Sequence, residues 1–157
     1  GASPLNSTGT FIFDGTLFSI PGQIAFPATQ AASTGANVLD DYEENNAWVP
    51  ADGTAEAVAF TVTSARSTKI GRAVFVPADL AYGTATGASG AVITGLPYTA
   101  GAAAGAVSVG FTNNGISTYA YVRASTTNIE LYTNAGSAIT NLQMSGKTIS
   151  FAGCYFV

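Results

Sequence analysis

The sequence predicts an all-β domain, an antiparallel β-sandwich or jelly roll. Three observations predict it: short β-branched and aromatic runs, turn residues between them at close intervals, and almost no helical periodicity. Val58-Ala-Phe60-Thr-Val62 alternates, with Phe60 and both valines expected on one face. Ser67–Val76 reads as a longer strand, with a bulge or close backbone approach at Gly71. Ala91–Leu96, Ala106–Phe111, Ser117–Ala124 and Asn128–Thr133 follow as strands. Thr148–Val157 closes the chain, with Ile149, Phe151, Tyr155 and Val157 on one side of the pleat. Between them, Gly87-Ala-Ser-Gly90, Asn113-Asn-Gly115, Asn134-Ala-Gly136 and Ser145-Gly146 carry turn chemistry.

Residues 1–56 differ from residues 57–157, which are expected to form the β-body. Thr10-Phe-Ile-Phe13 suits a short strand, but from Gly22 to Asp52 prolines and small residues break every pattern. So long an irregular stretch is unusual inside a compact domain. It fits better as an extended linker that runs along neighbouring subunits, where packing offsets its ordering cost. The opening Gly1-Ala-Ser3 reads as a cloning remnant at the head of a piece of a longer chain.

Composition narrows the function classes. Apolar residues make up 47% of the 157 and charged residues only 9%, against about 25% charged in an ordinary soluble domain. Such a surface suits an extracellular or virion β-protein, or a subunit that hides its faces against partners. With no histidine, the chain lacks Ser-His-Asp and Cys-His catalysis and His-ligated zinc. Its single cysteine, Cys154, forms no intrachain disulfide and is expected as a buried small hydrophobe. We expect no cofactor, no nucleic acid and no membrane insertion. Five scattered bases make no nucleic-acid footprint, and no apolar run reaches the roughly 18 residues of a membrane helix.

Charge is distributed unevenly. Residues 1–56 hold seven acids and no base, whereas residues 57–157 hold five bases against two acids. This is either a chance asymmetry or a sign that the acidic segment docks on the β-body of its own or a neighbouring subunit. The densest cluster is Asp40-Asp41-Tyr42-Glu43-Glu44. A glycosidase needs two carboxylates across a cleft, which adjacent residues rarely provide, and a calcium loop needs a different spacing. We read the run as structural, pairing with Arg66, Lys69 or Arg72 at a subunit boundary.

Two aromatic features are candidates for ligand contact. Trp48, the single tryptophan, is either a stacking platform for a sugar or a packing anchor beside Pro50, and the anchor is favoured. Tyr119 and Tyr121 share a strand face with Arg123 by alternation. Facing solvent, they offer stacking surfaces beside a cation for an acidic sugar, with Tyr132 as a further contact. Facing inward, they are interface packing. The glycine-rich Gly101–Gly105 lacks the Lys-Ser/Thr of a phosphate loop and is read as a connection.

Specific strings carry a resemblance. They are Ile24-Ala-Phe-Pro-Ala-Thr-Gln30, Leu39-Asp-Asp-Tyr-Glu-Glu44 followed by Trp48-Val-Pro50, Ser67-Thr-Lys-Ile-Gly-Arg72, Ile93-Thr-Gly-Leu-Pro-Tyr98 and Ile149-Ser-Phe-Ala-Gly-Cys-Tyr155. In order and spacing they resemble a recurrent C-terminal domain of bacteriophage tail fibres and tailspikes. The resemblance covers about residue 22 to the C-terminus. It implies a homotrimeric β-sandwich at the tip of a virion fibre, joined to an upstream shaft, which trimerises and attaches to a bacterial surface polysaccharide or lipopolysaccharide. The expected role is adhesion and not enzymatic. The alternatives are a polysaccharide depolymerase and a purely structural trimerisation cap.

Overall fold

The computed structural model describes residues 42–157 except 104 and 117, and of Asn45 only the backbone. The strand expected at Thr10–Phe13, the linker upstream of Tyr42, and Asp40 and Asp41 lie outside the described residues. The described part is all-β with one short helix. The strands are β1 (Tyr42–Ala47), β2 (Ala51–Asp52), β3 (Phe60–Ile70), β4 (Ala73–Phe75), β5 (Ala78–Tyr82), β6 (Val92–Thr94), β7 (Gly105–Thr112), β8 (Thr118–Val122), β9 (Ile129–Thr133) and β10 (Thr148–Phe156). Helix α1 (Asn141–Met144) sits just before β10.

Among the described residues these ten strands join in one sheet, in the order β1-β3-β4-β10-β7-β8-β9-β6-β2, with β5 pairing both β3 and β10. Every pairing between the named strands is antiparallel. The order has a geometric consequence. β1 and β2 end the sheet on opposite sides, yet only Trp48-Val49-Pro50 separates them in the chain. That connector spans at most about 15 Å, so the sheet bends round until its two edges approach. Its inner face becomes the core, lined by Val74, Val76, Ile93, Val122, Ile129, Ile139, Met144, Ile149 and Tyr155, all fully buried. Each large apolar side chain contributes about 1.5–3 kcal/mol by leaving water.

Alternation explains most of this placement. In β10, Ile149, Phe151 and Tyr155 point inward as expected, while Cys154 between them is half-buried on the other side. Its expected burial fails because the pleat that turns Tyr155 inward turns its neighbour outward. The turns at Gly115, Gly136 and Gly146 all carry the positive φ expected of them. Gly71 does so too, at φ +56, but as the first residue of the two-residue turn between β3 and β4. The single strand expected over Ser67–Val76 is therefore a tight hairpin, which positive φ at that position favours. Val62 stays exposed and does not join Val58 in the core, although it keeps the face of Phe60: Phe60 lies opposite Tyr82 and Val62 opposite Leu80, and the register shift comes only after it.

Two pieces N-terminal to residue 57 are integral to the sheet. β1 lies along β3, with Tyr42 opposite Ile70, Glu43 opposite Lys69 and Ala47 opposite Arg66. β2 closes the other edge against β6. The following turn is held by Asp52, whose carboxylate accepts the Thr54 and Val58 backbone N–H groups. Glu56 reaches across to accept the N–H groups of Gly87 and Ser89.

Candidate functional site

In β8 and β9 alternate residues face opposite ways. Ala120, Val122, Ile129 and Leu131 fill the core, which leaves Tyr119, Tyr121, Glu130 and Tyr132 on the outer face. The register sets their contacts: Tyr119 lies opposite Tyr132, and Tyr121 opposite Glu130. The Tyr119 and Tyr132 rings stack at 5.6 Å with an interplanar angle of 18°. Tyr121 meets Tyr132 edge-on at 6.5 Å and 86°. Both are favourable arrangements of ring quadrupoles.

Arg123 follows at the end of β8, where the β8–β9 turn fixes its backbone. Its N–H donates to the Asn128 carbonyl at 3.0 Å, and its own carbonyl accepts the Thr126 hydroxyl at 2.9 Å. Ser125 holds the turn in the left-handed region at φ +59, while its N–H bonds to the Ala100 carbonyl. This backbone conformation costs a non-glycine residue about 1–3 kcal/mol, so the surrounding bonds maintain the turn against strain.

Glu130 ties the group together. One carboxylate oxygen accepts Arg123 Nη1 at 2.7 Å and the other accepts the Tyr132 hydroxyl at 2.7 Å. The Glu130 hydrogen bond raises the titration of both partners above their ordinary values: it favours the charged guanidinium and the neutral phenol. The side chains of Arg123 and Glu130 are 58% and 14% exposed. The guanidinium is thus anchored at one nitrogen and open elsewhere. Together Tyr119, Tyr121, Arg123, Ala124, Glu130 and Tyr132 line an open recess of about 510 Å³.

The structure therefore gathers four residues named from the sequence, Tyr119, Tyr121, Arg123 and Tyr132, into one outward site. The fifth, Trp48, is not part of it. Its ring is 6% exposed and its Nε1–H donates to the Arg66 carbonyl at 3.1 Å. It plugs the core where the sheet edges approach, so it presents no stacking face. Glu130 was missed, although two-residue spacing before Tyr132 places both on one face of the expected strand. Its carboxylate gives the Arg123 cation a counter-ion within the site.

The residues expected to be structural lie elsewhere. Lys69, on β3 opposite Glu43, is buried, with its ammonium 5.3 Å from the centre of the Tyr98 ring. Glu43 accepts the Asn46 amide, Glu44 is exposed, and Arg72 donates through Nε to the Val157 carbonyl at 2.8 Å. Arg66 is exposed at the surface of β3. Among the described residues no three Cys, Asp or Glu side chains gather as metal ligands. Comparison with family models, with curated proteins and with solved structures found no match to this chain.

Proposed function

We propose that this chain is a receptor-binding tip domain of a bacteriophage tail fibre or tailspike, a homotrimer of β-sandwiches that attaches the virion to a bacterial surface glycan. The observation that carries the binding part is the outward cluster of Tyr119, Tyr121 and Tyr132 around the Arg123–Glu130 pair. Aromatic faces accept the C–H face of a pyranose ring, and a fixed guanidinium and carboxylate offer donors and acceptors to its hydroxyls. Because hydrogen bonds and the β8–β9 register hold these groups in place, little ordering entropy opposes binding. The strings that resemble phage tail proteins supply the biological setting, and three copies on one particle raise a weak site affinity through avidity.

Binding without cleavage is the better fit to this recess. Glycoside hydrolysis commonly uses two carboxylates, whereas the recess is lined by one, Glu130, with both oxygens engaged. The reading as a trimerisation cap draws on another surface. Ile70, Phe75 and Phe156 are exposed on one face of neighbouring strands, with Ile70 and Phe156 both opposite Ala73. A patch of this kind marks a protein contact and serves the trimer.

The test is an array of bacterial capsule and lipopolysaccharide oligosaccharides probed with the intact chain, with light scattering on the same sample. A glycan that is bound saturably and competes with attachment to cells, on a particle of trimer mass, is the expected result. A blank array with a trimer leaves only the cap reading. A monomer that binds sugar overturns the assembly and keeps the site.

A further inference from the structure

A second recess, of about 230 Å³, adjoins the first and shares three of its residues, Arg123, Glu130 and Tyr132. The remaining walls differ. The first recess adds the aromatic rings of Tyr119 and Tyr121, and the second adds Gly90, Val92 and Ala138. The hydrogen-bonded trio of Arg123, Glu130 and Tyr132 is thus a bridge with a hollow on each side.

The second hollow rests on fixed backbone. Ala91 N–H donates to the Ile139 carbonyl at 2.7 Å, Ile139 N–H to Leu131 at 2.9 Å and Leu131 N–H to Ala91 at 3.2 Å. Gly90 adds no side chain to this wall, and a Cβ there would meet the Ala138 methyl only at ordinary contact distance, 3.5 Å. A hollow framed by hydrogen-bonded backbone is already shaped before a ligand arrives.

We propose that the two hollows are consecutive subsites for a neutral oligosaccharide. One ring stacks on Tyr119 or Tyr121, and the next occupies the hollow between Val92 and Ala138. Arg123 and Glu130 address the hydroxyls on either side of the linkage between them. This rests on the glycan-binding reading above. The preference for a neutral ligand follows from the bridge. The Arg123 and Glu130 charges oppose each other across 2.7 Å, and a ligand carboxylate drawn to the guanidinium would also face Glu130. No other ionisable side chain than these and the tyrosines lines either hollow. A neutral diol uses the donors and the acceptors together without that repulsion.

The experiment measures the affinity of the intact chain for neutral oligosaccharides of one to six units, cut from a polymer that scores on the array. An equal series containing uronic acids is run beside it. The wild type is expected to gain about tenfold from one unit to two and little thereafter. Neutral binding is expected to change by less than about twofold between about 50 and about 500 mM salt. Ala138→Phe, at an exposed position, fills the second hollow. It should abolish the gain from the second unit and leave the single-unit affinity intact; Ala138→Leu serves if the larger ring perturbs folding. A gain that survives both substitutions overturns the second subsite. Binding confined to the acidic series, with a steep fall in salt, overturns the neutral preference. A wild type that binds neither series overturns the glycan reading itself.

Discussion

The aromatic residues inside the sheet and those outside it use similar chemistry for different ends. Inside, Trp48 donates to the Arg66 carbonyl, and the Tyr155 hydroxyl donates to the Tyr98 carbonyl at 2.9 Å while accepting the Tyr98 N–H at 3.3 Å. These rings spend their polar atoms on the backbone and fix one strand or loop against another. Outside, Tyr132 spends its hydroxyl on Glu130, and Tyr119 and Tyr121 pack against its ring. These groups are held in place yet remain at the surface. The difference teaches that exposure alone does not make a binding site. Phe75 and Phe156 are as exposed as Tyr119, but as hydrocarbon rings they carry no hydroxyl to orient a sugar.

The sharpest break between the two groups is Trp48→Ala. It removes a buried ring, so it should cost about 3–5 kcal/mol of folding stability and leave glycan affinity unchanged at temperatures where the domain stays folded. Denaturant unfolding and a binding titration on one sample check this; a loss of binding without a loss of stability would return Trp48 to the site. Tyr121→Ala should behave in the opposite way. Removing an aromatic anchor from the recess should weaken binding by about 2 kcal/mol, or roughly thirtyfold, with little change in the melting temperature.

Smaller effects come from protons. Burial pushes the Tyr155 phenol up to about 12, above its ordinary value of 10.0, so the folded state keeps its proton where the unfolded chain loses it. The resulting stabilisation is complete below about pH 10 and disappears as pH climbs through about 12. Tyr155→Phe should cost about 1 kcal/mol near neutrality through its lost hydrogen bonds. It should also flatten the fall in stability between about pH 10 and 12, read from unfolding curves at each pH. The smallest change is expected from Glu130→Gln, because the ion pair's Arg123 partner is exposed to solvent and such a pair contributes about 0–1 kcal/mol. Its signature is spectroscopic: the Tyr132 phenol, held up by Glu130, should titrate closer to its ordinary value in ultraviolet absorbance.

Much of the site was legible because strands encode direction. Two-residue spacing alone puts Tyr119, Tyr121 and Arg123 on one side, and the same rule applied to Glu130 and Tyr132 builds the facing strand. The inward or outward sense is set by Ala120, Val122, Ile129 and Leu131, whose small and aliphatic side chains claim the core. The ion pair was not legible, since it depends on the register that sets Tyr121 opposite Glu130, and a strained turn at Ser125 fixes that register. Nor was the curl of the sheet, which follows from β1 and β2 taking opposite edges across three residues. Trp48 owes its burial to that connector. Helix α1 escaped because four residues carry no periodicity. Its only sequence signal is the capping box between Thr140 and Gln143.

The most direct measurement is an NMR titration of the isotopically labelled chain with an oligosaccharide that scores on the array. Saturable shifts should concentrate on residues 119–132, extend to Val92 and Ala138 for ligands of two units or more, and leave the Trp48 indole unmoved. Shifts that gather instead on Ile70, Phe75 and Phe156, or on the Trp48 indole, would contradict a glycan site on β8 and β9.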